Sequence, residues 1–104
     1  MNILENDYTL KYSTKFWNKF DTIKTYCIVQ YGNTKFSRRL YDKIKRVAYS
    51  IKSNPLMFKI KAGTIRTAPL INKYMLVYYI DEENKTIIVD YIVSPYEPYF
   101  AILN

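Results

Sequence analysis

The residues best suited to chemistry with an anion are ten lysines and arginines between Asn33 and Arg66. That stretch has a single acid and a net charge of +9, whereas the whole chain of 104 residues carries +7. Such a concentration is typical of a surface that meets phosphate or an acidic protein, and equally of a solvated helix face. The candidate binding residues are Arg38, Arg39, Lys43, Arg46, Lys59, Lys61 and Arg66.

The residue types that are missing narrow the chemistry further. The chain has no histidine, which removes the usual general base and every Ser-His or Cys-His pair, so proton transfer would need tyrosine, lysine or a carboxylate. The single cysteine, Cys27, excludes an intramolecular disulfide and a cysteine-based metal site, and we expect it to be buried. The acids of the segment 81–83 lack metal-ligand spacing, so no metal and no cofactor are expected.

Two amphipathic helices must position the basic residues. Apolar residues three and four positions apart predict a first helix with Ser13 or Thr14 as its N-cap and Gly32 at its end. A second helix carries a cleaner apolar stripe and ends before Asn54-Pro55, because a residue that precedes proline avoids the α region. With only a short turn between them, the helices form an antiparallel hairpin over about 14–53.

Most of the remaining chain is predicted to form β-strands. Alternating or continuous apolar runs predict strands at 8–12, 64–70, 74–80 and 86–93, the third being central because both its faces are apolar. The segment 56–63 is a connector. The order β-α-α-β-β-β predicts a two-layer α+β sandwich, in which the hairpin covers a three- to four-stranded antiparallel sheet. We expect a single domain, 1–104, with the meander at 64–93 and a tail at 94–104.

Arg66 has two interpretations. It faces a phosphate or an acidic partner, or it pairs with Asp90, which is predicted to share a sheet face with Ile88 and Ile92. Lysines at 59 and 61 precede it in the connector and are either functional or merely solvated. The chain also has 12 tyrosines, which either stack on nucleic-acid bases or pack on a small sheet.

Two segments resemble a known family. SRRLYDKIKRVAYSIKSNP is similar to the second helix of the RelE/ParE toxins of bacterial toxin–antitoxin systems, and GTIRTAPLINKYMLVYYIDEENKTIIVDYIV is similar to their strand signature. The resemblance covers roughly 8–95. It implies the β-α-α-β-β-β fold, a cognate antitoxin as partner, and a cellular target that is either DNA gyrase or the ribosome with its mRNA.

The resemblance also implies candidate catalytic residues. RelE-type enzymes cleave mRNA on the ribosome with sheet lysines and arginines and with a C-terminal arginine and tyrosine. Lys61 and Arg66, with Lys59, match part of that set, and Tyr96 or Tyr99 stands in for the tyrosine. Met75 occupies a position where RelE-type nucleases have arginine, and SPYEPYF contains no arginine.

These departures favour the ParE branch, whose members poison DNA gyrase without the nuclease set. A ribosome-dependent mRNA endonuclease is the second hypothesis. The third is a non-toxic or degenerate basic module that binds an antitoxin or nucleic acid. No apolar run approaches a membrane span and the first residues are too polar for a signal peptide, so we expect a cytoplasmic protein with no membrane partner.

Overall fold

The computed structural model describes residues 8–98, which fold as two helices against one five-stranded sheet. The strand order is β1-β5-β4-β3-β2. The elements are β1 (Thr9–Tyr12), α1 (Thr14–Tyr31), α2 (Lys35–Ser53), β2 (Ile60–Ala62), β3 (Ile65–Pro69), a 3₁₀ turn (Ile71–Lys73), β4 (Met75–Asp81) and β5 (Thr86–Val93). The predicted α+β class, helical hairpin, meander and central strand are confirmed. No helix within residues 8–98 has the length and apolarity that crossing a membrane requires.

The sheet is larger than predicted and it is not wholly antiparallel. β1 pairs parallel with β5, in the register Thr9 with Thr86. The segment 56–63 is not only a connector, because β2 lies in it and pairs with the start of β3, Ile60 opposite Arg66. β2 was missed because three residues are too few to show the alternation from which a strand is recognised.

The start of α1 is tied to the far end of the chain. Ser13 is the N-cap, and its Oγ accepts a hydrogen bond from the Phe16 backbone N–H over 3.0 Å. The same hydroxyl donates to the backbone carbonyl of Asp90, also over 3.0 Å, so one side chain joins α1 to β5. The helix ends at Gly32, whose φ of 71° is left-handed. Both predicted boundaries of this helix are confirmed.

Asp90 is the extra residue of a β-bulge. Val77 of β4 pairs with Tyr91 and the next residue, Tyr78, pairs with Val89, which leaves Asp90 without an opposite residue. A bulge shifts the alternation of faces by one residue beyond it. The prediction that Asp90 shares a face with both Ile88 and Ile92 is therefore wrong, since Ile92 belongs to the helix-facing core and Ile88 pairs with Tyr79 on the opposite face.

The main core lies between the helices and the sheet. It contains Phe16 and Cys27 of α1, Leu40 and Ile44 of α2, and fully buried residues of β3, β4 and β5 such as Tyr78. Cys27 is only 1% exposed, as predicted for a packing residue. A smaller apolar cluster lies on the opposite sheet face: Ile65, Met75, Val77, Tyr91 and Val93.

Candidate binding surface

The candidate residues of the sheet lie at the β2–β3 pair. Lys59 and Lys61 are exposed on and beside β2, and Arg66 is half-buried in β3 on the helix-facing side, opposite the buried Tyr78. The Arg66 guanidinium donates from Nη1 to the Phe58 carbonyl over 2.6 Å. Its charge counteracts the increase in the Tyr78 pKa that burial causes. Arg66 therefore has a structural role, because it holds the segment 56–63 against β3.

The predicted pairing of Arg66 with Asp90 is wrong. Asp90 lies in the bulge of β5, where its carboxylate meets Lys15 of α1 at 3.6 Å. Arg66 is two strands away, because β4 separates β3 from β5. The error follows from the bulge and from Ser13, which together turn the Asp90 segment toward the start of α1.

The candidate arginines and lysine of α2 divide between two sides of the helix. With 3.6 residues per turn, Lys35, Arg39, Lys43 and Arg46 form one ridge about 16 Å long. Arg38 lies on the other flank. No lysine or arginine of α2 forms a salt bridge with another residue of the segment 8–98. The ridge is thus a line of positive charge available to a partner.

A groove lies beside the N-terminal end of this ridge, at Lys35 and Arg39. Its volume is about 720 Å³, and we call it the tyrosine groove. The residues that line it are Tyr26, Cys27, Tyr31, Asn33, Lys35, Phe36, Arg39, Asn72, Lys73, Tyr74, Pro95 and Tyr96. They come from the end of α1, the start of α2, the 3₁₀ turn and the segment after β5. Within residues 8–98, no lining residue is acidic and none is leucine, isoleucine, valine or methionine.

The floor and the rim of the groove differ in burial. Tyr74 is half-buried, with its ring 5.4 Å from that of Phe36, and burial raises its pKa, with a further contribution from Cys27. Tyr26 and Tyr31 are 55% and 62% exposed, and their rings meet edge to face at 6.1 Å. Tyr96 is 99% exposed. The rim therefore presents aromatic faces that the core does not use.

One wall of the groove is the segment 94–97, which Glu97 fastens to the body of the protein. Its Oε1 accepts from Lys19 Nζ over 2.5 Å and from the Ser94 N–H over 3.0 Å. Its Oε2 accepts from the Tyr91 hydroxyl, and Lys19 also donates to that hydroxyl over 2.9 Å. Pro95 and Tyr96 are thereby held at the groove, which continues into an adjoining space of about 500 Å³.

A second cavity, of about 710 Å³, lies on the other flank of α2. Arg38, Trp17 and Tyr41 line it, together with the acids Asp21 and Asp42. This cavity is lined by both acidic and basic side chains, whereas the charged residues among 8–98 that line the tyrosine groove are all basic. Arg38 thus belongs to a different environment from Arg39, although the two are neighbours in sequence.

The candidate catalytic residues are not brought together. Tyr96 shares the groove with Tyr74, whereas Arg66 pairs with Tyr78, about 13 Å further along β4 at 3.3 Å per residue. Lys61 lies beside Arg66 on the β2–β3 pair. Tyr99 lies outside the described residues. Sequence reasoning missed Tyr26, Tyr31, Lys35 and Lys73 as members of one site, because they come from three elements, α1, α2 and the 3₁₀ turn, that meet only in the fold.

Several solved structures that superpose on this chain belong to toxin–antitoxin systems. A chain of the chromosomal ParDE system from P. aeruginosa superposes with a TM-score of 0.68 at 16% identity, covering 86% of this chain and 99% of that one. This chain has the RelE/ParE fold. The intact E. coli RelBE toxin–antitoxin complex contains a chain with a TM-score of 0.61 at 13% identity, and the shared part is 84% of this chain and 95% of that one.

A third chain with the RelE/ParE fold comes from the RelBE2 complex of Mycobacterium tuberculosis. Its TM-score is 0.55 at 16% identity, with 83% of this chain and 95% of that one covered. No protein-family model and no curated protein matches the chain. The predicted resemblance to RelE/ParE is therefore supported through the fold, and these identities carry no information on individual functional residues.

Proposed function

We propose that this protein is the toxin of a bacterial toxin–antitoxin pair. A cognate antitoxin holds it inactive in the cytoplasm, and the free toxin acts on DNA gyrase in the manner of ParE. The observation that carries the proposal is the ridge Lys35–Arg39–Lys43–Arg46, which has no ion pair among residues 8–98, on a fold found in toxin–antitoxin complexes. An acidic antitoxin segment would neutralise that ridge.

The gyrase branch is favoured because the nuclease set is incomplete. The guanidinium of Arg66 is engaged with the Phe58 carbonyl, and Tyr96 lies near the other end of β4. Met75 stands where RelE-type nucleases have an arginine. A ribosome-dependent nuclease remains the second hypothesis because Lys59 and Lys61 are exposed beside Arg66. A degenerate module that binds an antitoxin without being toxic is the third.

Induced expression in a bacterial host tests the proposal. We expect growth arrest that co-expression of the gene adjacent to this one relieves. Filamentation with induction of the DNA-damage response supports gyrase as the target, whereas a rapid loss of protein synthesis with cleaved mRNA supports the nuclease hypothesis. Normal growth at a good yield of folded protein would contradict both toxic activities.

Variants of the sheet cations separate the two toxic mechanisms. If the protein acts on gyrase, the double variant Lys59→Ala/Lys61→Ala keeps its toxicity, because the nuclease set is not used. A loss of toxicity in that variant, with its thermal unfolding unchanged, would favour the nuclease. Arg66→Ala is less informative, since it also leaves the half-buried Phe58 carbonyl without its donor and costs stability.

A further inference from the structure

We propose that the tyrosine groove and the cationic ridge together form a binding site for single-stranded nucleic acid. In this arrangement bases stack on the exposed tyrosines of the rim, and the phosphates lie along the lysines and arginines. The site is separate from Lys59, Lys61 and Arg66, which lie toward the other end of β3 and β4. It also stands without the toxin proposal, because it concerns binding by the purified protein.

The first support is the chemistry of the groove's lining. Four tyrosines, three cations and two asparagines surround a space of about 720 Å³, which is the size of a site for a compact ligand. Aromatic platforms flanked by positive charge are the recurring means of binding single strands, because every base has a face that stacks. A Tyr96 side chain that is 99% exposed has no packing role in the described structure, but it is placed to stack on a base.

The second support is the position of the cations. Lys35 and Arg39, one helical turn apart, line the groove from α2, and Lys73 lines it from the 3₁₀ turn. Lys73 and its neighbour Asn72 both have left-handed backbones, with φ of 65° and 51°. Positive φ at both residues is what a tight turn between antiparallel strands requires, so the turn from β3 to β4 fixes the position of Lys73 beside the groove.

The ridge then extends the site beyond one nucleotide. Lys43 and Arg46 continue the line of Lys35 and Arg39 down α2, so the charged path is about 16 Å long. Successive phosphates of a strand that leaves the groove would meet this path. The pattern fits a chain of several nucleotides, because a free mononucleotide would use only the groove.

An acidic peptide can bind along the ridge, but it is also the competing occupant of the groove, and there the lining disfavours it. Grooves that hold an amphipathic peptide are typically lined by flexible aliphatic and methionine side chains that receive its apolar anchors. Within residues 8–98 the tyrosine groove has none of these, and the tyrosines of its rim, Tyr26, Tyr31 and Tyr96, are more than half exposed. A nucleic-acid base can stack on a tyrosine ring of the rim, whereas a glutamate side chain cannot.

Fluorescence anisotropy of the full chain with labelled oligonucleotides of about ten residues tests the proposal. We expect DNA and RNA single strands to bind and a duplex of the same sequence to compete poorly, since its bases are already stacked. Three or more phosphate contacts predict a slope of log K against log salt of about −2 or steeper. Arg39→Ala should make that slope shallower by about 0.7, which is the share of one contact.

The tyrosines provide the matched test. Tyr31→Leu and Tyr96→Leu should each weaken binding roughly fivefold or more, because each removes a stacking face. Tyr49→Leu is the control, since Tyr49 is 71% exposed on α2 and does not line the groove. Circular dichroism checks that all three variants keep the fold.

Three results would overturn the site. The first is that Tyr49→Leu loses as much affinity for the oligonucleotide as the groove variants do. The second is that a duplex competes for the protein as well as a single strand does. The third is a glutamate-rich peptide of equal charge that binds as tightly and is insensitive to both groove tyrosines, which would mean that the ridge attracts any polyanion. Growth arrest in cells is unaffected by any of these outcomes, so the two proposals fail separately.

Discussion

Tyr12 and Tyr78 both pack against the main core, and their hydroxyl groups differ in one respect. The Tyr78 hydroxyl donates to the Pro55 carbonyl over 3.1 Å, which holds the end of α2 to β4. The Tyr12 hydroxyl is buried and has no hydrogen-bond partner within residues 8–98. Burial raises the pKa of both tyrosines, and Tyr41 adds to the effect at Tyr12. The two side chains therefore allow one chemical change to be compared in two settings.

The same deletion of a hydroxyl should have opposite effects at the two positions. Tyr78→Phe removes a hydrogen bond and leaves the Pro55 carbonyl without this donor, so we expect the free energy of unfolding to fall by about 1–2 kcal/mol. Tyr12→Phe removes an unpartnered buried group and should leave stability unchanged or raise it by up to about 1 kcal/mol. Urea unfolding measures both. Equal losses would mean that the Tyr12 hydroxyl has a partner in solution.

Single residues were predictable wherever the cause was local. Ser13, Gly32 and Cys27 are recognisable because capping needs a side-chain oxygen, a left-handed turn favours glycine, and an apolar stripe is buried. Arg66 was not predictable in the same way. Its partner, the Phe58 carbonyl, comes close only because β2 forms, and its expected partner Asp90 is displaced by a bulge in another strand.

At the scale of elements, the wall 94–97 depends on a charged cluster. Burial alone would raise the pKa of Glu97, but hydrogen bonds from Lys19, Tyr91 and the Ser94 N–H outweigh it, so the pKa lies below its ordinary value of 4.5. Burial likewise opposes the charge on Lys19, yet its bonds to Glu97 and Tyr91 raise the pKa of the ammonium group. Glu97 and Lys19 are therefore both charged at neutral pH.

Glu97→Gln should destabilise the protein at neutral pH by about 1–3 kcal/mol, because it removes a charged acceptor of three hydrogen bonds. A carboxyl group with a lowered folded-state pKa contributes stability that is present above its unfolded pKa. That contribution is lost as the pH falls below about 4.5 and through the folded pKa, so wild type and variant should converge there.

Thermal unfolding of both proteins between about pH 3 and pH 7 measures the convergence. Glu83→Gln is the matched control, since Glu83 is exposed in the β4–β5 turn. We expect a constant small offset for that variant. A Glu97→Gln deficit that persists unchanged at low pH would mean that the side chain acts through its shape and not through its charge.

At the scale of the whole molecule, the order of elements was predictable and the edges of the sheet were not. Strand and helix periods are local, so the sequence predicts the hairpin and the meander. The parallel pairing of β1 with β5 joins residues 77 positions apart, Thr9 with Thr86, and no local pattern specifies it. The tyrosine groove shares this origin, because it exists only once α1, α2, the 3₁₀ turn and the wall 94–97 have assembled.

The net charge of +7 should make the folded protein sensitive to salt. The ridge cations repel one another and have no compensating ion pair within residues 8–98, and screening weakens that repulsion. We expect the free energy of unfolding to rise by about 1 kcal/mol between roughly 20 and 300 mM NaCl, which corresponds to a few degrees in Tm. Differential scanning fluorimetry with the chloride concentration varied measures it.

Two double variants of equal net charge identify the source of this dependence. Arg39→Gln/Arg46→Gln removes two ridge cations that form no salt bridge in the described part of the chain, so the stability of this variant should rise at low salt and its salt dependence should flatten. Lys15→Gln/Lys85→Gln removes two cations that face Asp90 at 3.6 Å and Glu82 at 3.4 Å. Because it removes attraction and leaves the ridge, its salt dependence should be steeper than that of the ridge variant. Identical curves for the two would mean that net charge alone matters and that the arrangement of charge along α2 does not.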